Sequence, residues 1–291
     1  MDTRQIGWIG TGIMGAPMAR RLIAGGHRVR AYNRSPEKAR ALASDGATVA
    51  ADAAACVAGA EVVFIMVPDT PDVEATVAMI EPALKAGQLI VDMSTIAPAA
   101  ERTIAARLKT AGVDYLDAPV SGGDVGARDG TLAIMVGGDA AAFERARPLF
   151  ELLGKRITHI GASGAGQMTK LANQIAVAIN LEAAAEAIKF AKEGGLDASR
   201  VVEAIGTGAA ASWQLSNLGP KIIAGDYRPG FFIKLIRKDL RLVIEAARES
   251  GLALPGLSLM ASMFNSASLL GHDLDGTQAV AAALDRLADV K

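Results

Sequence analysis

Lys170, Asn173, Gln174 and Val177 recur at i, i+3, i+4 and i+7, which puts them on one face if the segment is helical. The first three form a polar patch on a stretch otherwise rich in alanine and apolar residues, where an ordinary lysine would be a solvated surface residue. A lysine held in such a patch can stabilise negative charge on a reacting oxygen and protonate it. A second segment with chemical potential is Asp117-Ala118-Pro119-Val120-Ser121-Gly122-Gly123, directly after a β-rich run. Ser121 with Gly122 and Gly123 offers a hydroxyl and unobstructed N–H groups, a cradle for a carboxylate, although the same residues also make a plain glycine-rich turn. Ser94-Thr95 and Met66-Val67-Pro68 each follow a β-rich run as well. Thr95 is placed to touch a cofactor or substrate, and Val67 and Pro68 to wall a cofactor pocket. The three histidines, His27, His159 and His272, lie in no catalytic constellation and read as structural. No His-Glu-x-x-His or Cys-x-x-Cys spacing offers a metal site, and no Gly-x-Ser-x-Gly elbow offers a nucleophile.

Gly10-Thr11-Gly12-Ile13-Met14-Gly15 joins a β-rich run to a helical pattern. In that context the glycines have distinct tasks. Gly10 permits the tight turn, Gly12 lets the backbone approach a pyrophosphate, and Gly15 allows helix and strand to pack closely. The helix N-terminus adds free N–H groups and a positive dipole end. The segment is therefore expected to bind a dinucleotide. Its type is read from the end of the next strand, where an NAD site usually carries Asp or Glu. This chain has Asn33-Arg34-Ser35 and no carboxylate there. Arg34 can grip a 2′-phosphate bidentately, with Asn33 and Ser35 adding neutral hydrogen bonds. NADP is the expected cofactor, and NAD is disfavoured.

These residues must be held by a parallel sheet covered on both faces. Short β-rich runs alternate with alanine-rich helical stretches through the first half of the chain. Expected strands are 5–9, 28–32, 61–67, 89–93, 114–117, 133–136 and 156–160, with helices over 14–24, 36–44 and 98–111. Ligands bind beyond the carboxyl ends of such strands, which is where the candidate residues fall. After Ile160 only helices are expected, beginning with a long one over about 166–193 that Gly194-Gly195 stops. The fold class is thus α/β: a doubly wound parallel sheet in an NADP-binding domain, 1–162, followed by an all-helical substrate and dimerisation domain, 163–291. At roughly 40 Å, the long helix either bridges the domains or packs into a partner subunit.

Composition narrows the function further. The 30 basic and 31 acidic residues give a formal net charge of −1, which argues against nucleic acid or an anionic membrane as partner. The single cysteine, Cys56, excludes an intramolecular disulfide framework. Neither a signal peptide nor a membrane-spanning stretch is read, so the protein is expected in the cytoplasm.

Four segments together resemble the β-hydroxyacid dehydrogenase family, which includes 3-hydroxyisobutyrate dehydrogenases, tartronate semialdehyde reductases and glyoxylate/succinic semialdehyde reductases. They are Ile6 to Ala19, Asp117 to Gly123, Gly164 to Gln174, and Lys238-Asp239-Leu240 after Gly230-Phe231-Phe232-Ile233. The resemblance implies a Rossmann-type domain, a connecting long helix and an all-helical domain that often forms the dimer interface, hence a homodimer or homotetramer. It also implies that Lys170 is the catalytic lysine, that Ser121, Gly122 and Gly123 hold the substrate, that Asn173 stands beside the lysine, and that Lys238 reaches the site. The run Lys170-Leu171-Ala172-Asn173-Gln174 looks most like tartronate semialdehyde reductases, whereas Asn33-Arg34-Ser35 looks more like glyoxylate/succinic semialdehyde reductases. The expected activity is hydride transfer between NADP and a small carboxylated hydroxy acid or its semialdehyde. An imine reductase of the same architecture and a non-enzymatic NADP-sensing scaffold are the alternative readings.

Overall fold

The computed structural model describes residues 2–288 and divides into two compact units, Met1–Lys170 and Leu171–Lys291. In the first unit the strands are β1 (Gln5–Ile9), β2 (Arg28–Tyr32), β3 (Thr48–Val49), β4 (Val62–Ile65), β5 (Leu89–Asp92), β6 (Asp114–Asp117), β7 (Val120–Ser121), β8 (Leu132–Gly137) and β9 (Gly154–Gly161). They form one sheet in the order β3-β2-β1-β4-β5-β6-β8-β7, with β9 paired to β8. The β3-to-β6 part is parallel throughout and has the doubly wound, Rossmann-type order. Its strands alternate between two buried cores. Val62, Phe64, Leu89 and Val91 face one, and Val63, Ile65 and Ile90 face the other. A strand covered on both faces favours apolar residues at every position, which explains the unbroken apolar run Val62–Ile65.

Strand direction departs from a purely parallel reading at β8, which runs antiparallel to β6 and β7. The stretch 118–123, read from sequence as a loop after the strand 114–117, contains the two-residue strand β7. Pro119 explains the break between β6 and β7: it has no N–H to donate, yet its carbonyl accepts the Met135 N–H at 3.0 Å. The chain thus stays extended beyond β6 and delivers Ser121 past the end of the parallel ladder. β3 and β7 were not expected, because two residues are too short to show a period.

The long helix, Ala165–Glu193, has 29 residues. Division of the chain falls inside it, after Lys170, so its first turns belong with the sheet. Gly195, at φ +75°, lies just past its end and adopts a left-handed conformation that a side chain disfavours. The second unit is otherwise built from helices Ala198–Ile205, Trp213–Asn217, Gly219–Ala224, Ile233–Glu249, Pro255–Leu269 and Val280–Ala288. In the described residues no helix is long and apolar enough to cross a membrane.

Within the second unit the long helix buries Glu182, whose Oε2 has no hydrogen-bond partner. Burial, and then the Glu186 charge four residues on, push its carboxyl up to about 7 from the ordinary 4.5. An acid whose folded pKa is raised destabilises the fold as it ionises. The loss begins above about 4.5, where the unfolded chain gives up its proton first, and is complete above about 7. Glu182→Gln is therefore expected to raise the thermal midpoint at pH 8 and to leave it nearly unchanged at pH 4, checked by melting curves across that range.

Candidate active site

Parallel registry sets Ile9, Tyr32, Ile65, Asp92 and Asp117 in one row across the sheet. The residues that follow them in the chain are Gly10, Asn33, Met66, Met93 and Ala118, so the candidate segments all leave the same carboxyl edge. There the glycine turn is tightly held. Trp8, fully buried and stacked on Phe64 at 5.2 Å, donates its Nε1–H to the Gly10 carbonyl at 2.8 Å. Gly10 has φ +96°, and a Cβ there would also strike the Met66 carbonyl. At Gly15 a Cβ would strike the Gly10 carbonyl, whereas Gly12 faces open space.

These features fit a dinucleotide. The Thr11 Oγ is buried without a hydrogen-bond partner, and helix Gly15–Ala24 has no side-chain cap at its N-terminus. An acceptor such as a phosphate oxygen would satisfy both. Asn33 locks the two adjoining loops together: its Oδ1 accepts the Thr11 N–H at 3.0 Å, and its Nδ2 donates to the Ser35 carbonyl at 3.1 Å. Asn33 is therefore occupied with the loops themselves. The Arg34 side chain is 87% exposed and makes one long contact, 3.4 Å, to Asp72. Ser35 precedes helix Pro36–Arg40 without capping it through its side chain.

Farther along the edge, the Val67 N–H donates to the Ser94 Oγ at 3.0 Å, and Pro68 is exposed. Thr95 and Ser121 are half-buried. Gly122 (φ +134°) and Gly123 (φ +64°) both occupy left-handed backbone and open the short helix Gly123–Asp129.

Lys170 is 7% exposed, a rare state for a lysine outside a functional or paired setting. Its helix is anchored to the same edge one turn earlier. The buried Asp117 carboxylate accepts the Gly164 N–H at 2.8 Å and the Gln167 N–H at 2.9 Å. Burial raises the Asp117 carboxyl above its ordinary value, and these backbone donors oppose the rise. The histidines have structural partners. His27 accepts the Arg4 N–H, His159 lies 2.9 Å from the Gly138 carbonyl and stacks on Phe143, and His272 meets Asp275. Among the described residues no group of three or more His, Cys, Asp or Glu is arranged to hold a metal ion.

In the second unit a polar network joins three of the expected residues through a fourth. Asn173 donates to Gln174 at 2.8 Å, Gln174 donates to the Asp239 Oδ2 at 2.6 Å, and Lys238 pairs with the Asp239 Oδ1 at 2.7 Å. Gln174 is 2% exposed, with both ends of its amide engaged, so it braces its neighbours. Sequence reasoning missed Asp239 as a site residue. The signal was available: it falls between Ile236 and Val243 on the buried face of an amphipathic helix, where a carboxylate needs a partner.

A doubly wound sheet with a glycine turn at its carboxyl edge is the architecture of a dinucleotide-binding domain. Residues 5–161 match the family described as the NAD binding domain of 6-phosphogluconate dehydrogenase. Residues 164–283 match the family described as NAD-binding of NADP-dependent 3-hydroxyisobutyrate dehydrogenase. The 2-hydroxy-3-oxopropionate reductase of Escherichia coli is 44% identical over 99% of both chains. An NAD-dependent L-serine dehydrogenase of Pseudomonas aeruginosa is 39% identical over 90% of this chain and 91% of its own. The solved structure of Mycobacterium tuberculosis 3-hydroxyisobutyrate dehydrogenase with L-serine superposes with a TM-score of 0.90 at 34% identity, covering 98% of this chain and 99% of that one. The chain belongs to the β-hydroxyacid dehydrogenase family, oxidoreductases that act on hydroxyl groups with NAD(P).

Asp239→Ala would remove the carboxylate that pairs with the Lys238 ammonium and accepts from the Gln174 amide. Removing one member of a buried ion pair costs about 3–5 kcal/mol, and a loss of that size is expected in urea unfolding of the variant.

Proposed function

We propose that the chain is an NADP-dependent reductase that interconverts a small β-hydroxy acid and its semialdehyde, with 2-hydroxy-3-oxopropionate (tartronate semialdehyde) as the leading substrate. One observation carries the reaction class: Lys170 is 7% exposed and lies one helical turn from the contacts that tie its helix to the sheet's carboxyl edge. The substrate choice draws on the 44% identity, end to end, with a 2-hydroxy-3-oxopropionate reductase and on the Lys-Leu-Ala-Asn-Gln run. Relatives differ in their nicotinamide cofactor, so the preference for NADP draws on Arg34, exposed and without a neighbouring carboxylate on its own strand end. Asp72 is the competing anion, and the 2′-phosphate would displace it from the guanidinium.

When bound, the reduced nicotinamide supplies the hydride. The pyrophosphate would be held at Gly12, where the backbone is open, and at the uncapped N-terminus that Ile13 and Met14 lead into, while Gly10, whose N–H is bound by the Tyr32 carbonyl, and Gly15 shape the turn. Ser121, Gly122 and Gly123 hold the substrate carboxylate. As the aldehyde carbon gains its hydride, negative charge builds on the oxygen; the Lys170 ammonium stabilises that charge and protonates the oxygen to give the alcohol. Thr95 stands at the adjoining strand end and orients the reacting group. The family resemblance assigns Asn173 and Lys238 to the substrate as well, and the Gln174–Asp239 network holds both side chains in place. In the oxidative direction Lys170 must begin neutral, so oxidation is expected to favour higher pH than reduction. Ala172, Ala176, Ile179, Ala183 and Phe190 leave an exposed, mostly small and apolar stripe along the long helix, which supports assembly with copies of the same chain.

NADPH oxidation is followed by absorbance against 2-hydroxy-3-oxopropionate, methylmalonate semialdehyde, succinic semialdehyde and glyoxylate. The first is expected to be turned over with the highest kcat/KM. Lys170→Ala is expected to remove about 10²–10⁴-fold of turnover, the usual worth of a general acid, with NADPH affinity nearly intact. Arg34→Ala is expected to weaken NADPH about tenfold or more, as loss of a charge-assisted pair does, while leaving NADH almost unaffected. Equal effects on both cofactors would overturn the phosphate assignment.

A further inference from the structure

Beneath the carboxyl edge lies a fully buried cluster of Asp92, Glu101, Tyr115 and Gln167, to which the mechanism above gives no task. Gln167 is its hub. The Oε1 of its side chain accepts the Ile96 N–H at 3.2 Å, and its Nε2 donates to the Ser94 carbonyl at 2.8 Å and to Glu101 Oε1 at 2.6 Å. One amide therefore grips the main chain on both sides of Thr95. The backbone N–H of the same residue is bound by Asp117, and Lys170 follows one turn later on the helix. Gln167 is thus tied at once to the Thr95 loop, the end of β6 and the first turn of the lysine helix.

We propose that Gln167 is a positioning residue for turnover, one whose amide clamps the Thr95 loop and the first turn of the long helix so that Thr95 and Lys170 are presented at the same edge. The proposal rests on the reading of Lys170 as the proton donor. Glu101 completes the clamp. A carboxylate there would stand as a second buried anion beside Asp92 and Asp117, and burial with those neighbouring charges holds its carboxyl well above the ordinary range. As a neutral acid it accepts the Gln167 amide through one oxygen and has a proton for Asp92, which also accepts from the Ser94 N–H at 2.9 Å and the Tyr115 hydroxyl at 3.3 Å. Misplacing a reacting group by about 1 Å costs on the order of a hundredfold in rate without touching binding, so the clamp acts on kcat.

The test compares Gln167→Met, Glu101→Gln and Lys170→Ala in the full-length chain, with amide hydrogen exchange read alongside kinetics. Gln167→Met is expected to lower kcat about a hundredfold while NADPH affinity stays within about twofold. It is also expected to lose exchange protection at 94–97 and 164–170 and nowhere else in the sheet. Glu101→Gln reproduces the neutral acid's acceptor and donor, and its kcat is expected to remain within about twofold of wild type. Wild-type kcat in Gln167→Met, or unchanged protection in both segments, would overturn the proposal. Loss of NADPH affinity and of protection throughout the sheet in parallel with kcat would also overturn it, by making Gln167 an ordinary core residue. If Gln167→Met does not fold, Gln167→Glu keeps the acceptor for Ile96 but loses the donor pair. Its kcat is expected to fall at least about tenfold with NADPH affinity within about twofold, and a wild-type kcat would overturn the proposal. Turnover retained in Lys170→Ala would instead strike the reading of the lysine itself, while the exchange experiment still judges the clamp.

Discussion

Asp117 ends β6, the edge of the continuous parallel block β3-β2-β1-β4-β5-β6, with a carboxylate that receives two backbone N–H groups from the turn opening the long helix. Gly137 and Gly166 leave room for it: a Cβ at either would collide with the Asp117 side chain. A buried carboxylate bound by backbone donors is a strong, directional tie. It sits where the sheet stops being able to satisfy its own backbone, and it supplies an acceptor for the helix end that faces it. Through that tie the direction of the first turns of the helix, and with it the location of Lys170, follows from the sheet.

The cofactor side of the edge is organised differently. There the chain presents backbone, and side chains serve to hold that backbone in shape: Trp8 bonds the Gly10 carbonyl and Asn33 bonds the Thr11 N–H. At the end of β2 stands one exposed guanidinium, that of Arg34, with Asp72 as its counter-ion. In the helical unit the task passes to polar side chains buried together, where Asp239 gathers Gln174 and Lys238.

Much of this was legible beforehand. β1, β2 and β6 have the bounds their residue patterns imply, and the long helix runs from Ala165 to Glu193 against an expected 166–193. The direction of β8 was not legible, because an apolar run reads the same from either end. The two-residue strands β3 and β7 carry no period at all. Gln167 escaped notice because its side-chain partners lie 66 to 73 residues away in the chain. Nothing local distinguishes a glutamine that will hold a loop from one that will face water.

What the amino-acid order determined by itself is therefore whatever local sterics and periodicity govern. The glycine turn belongs here, since Gly10 adopts a positive φ and Gly15 lies against a carbonyl. So do the two-faced strands, the helical faces and the absence of a carboxylate at the end of β2. Tertiary structure alone decided which buried polar groups meet. Hydrogen bonds among such groups are short-ranged and directional, so they exist only after distant elements have packed. The Asp117 anchor, the Gln167 clamp and the Asp239 network are of that kind, and each depends on two or more elements that are remote along the chain and adjacent only in the fold.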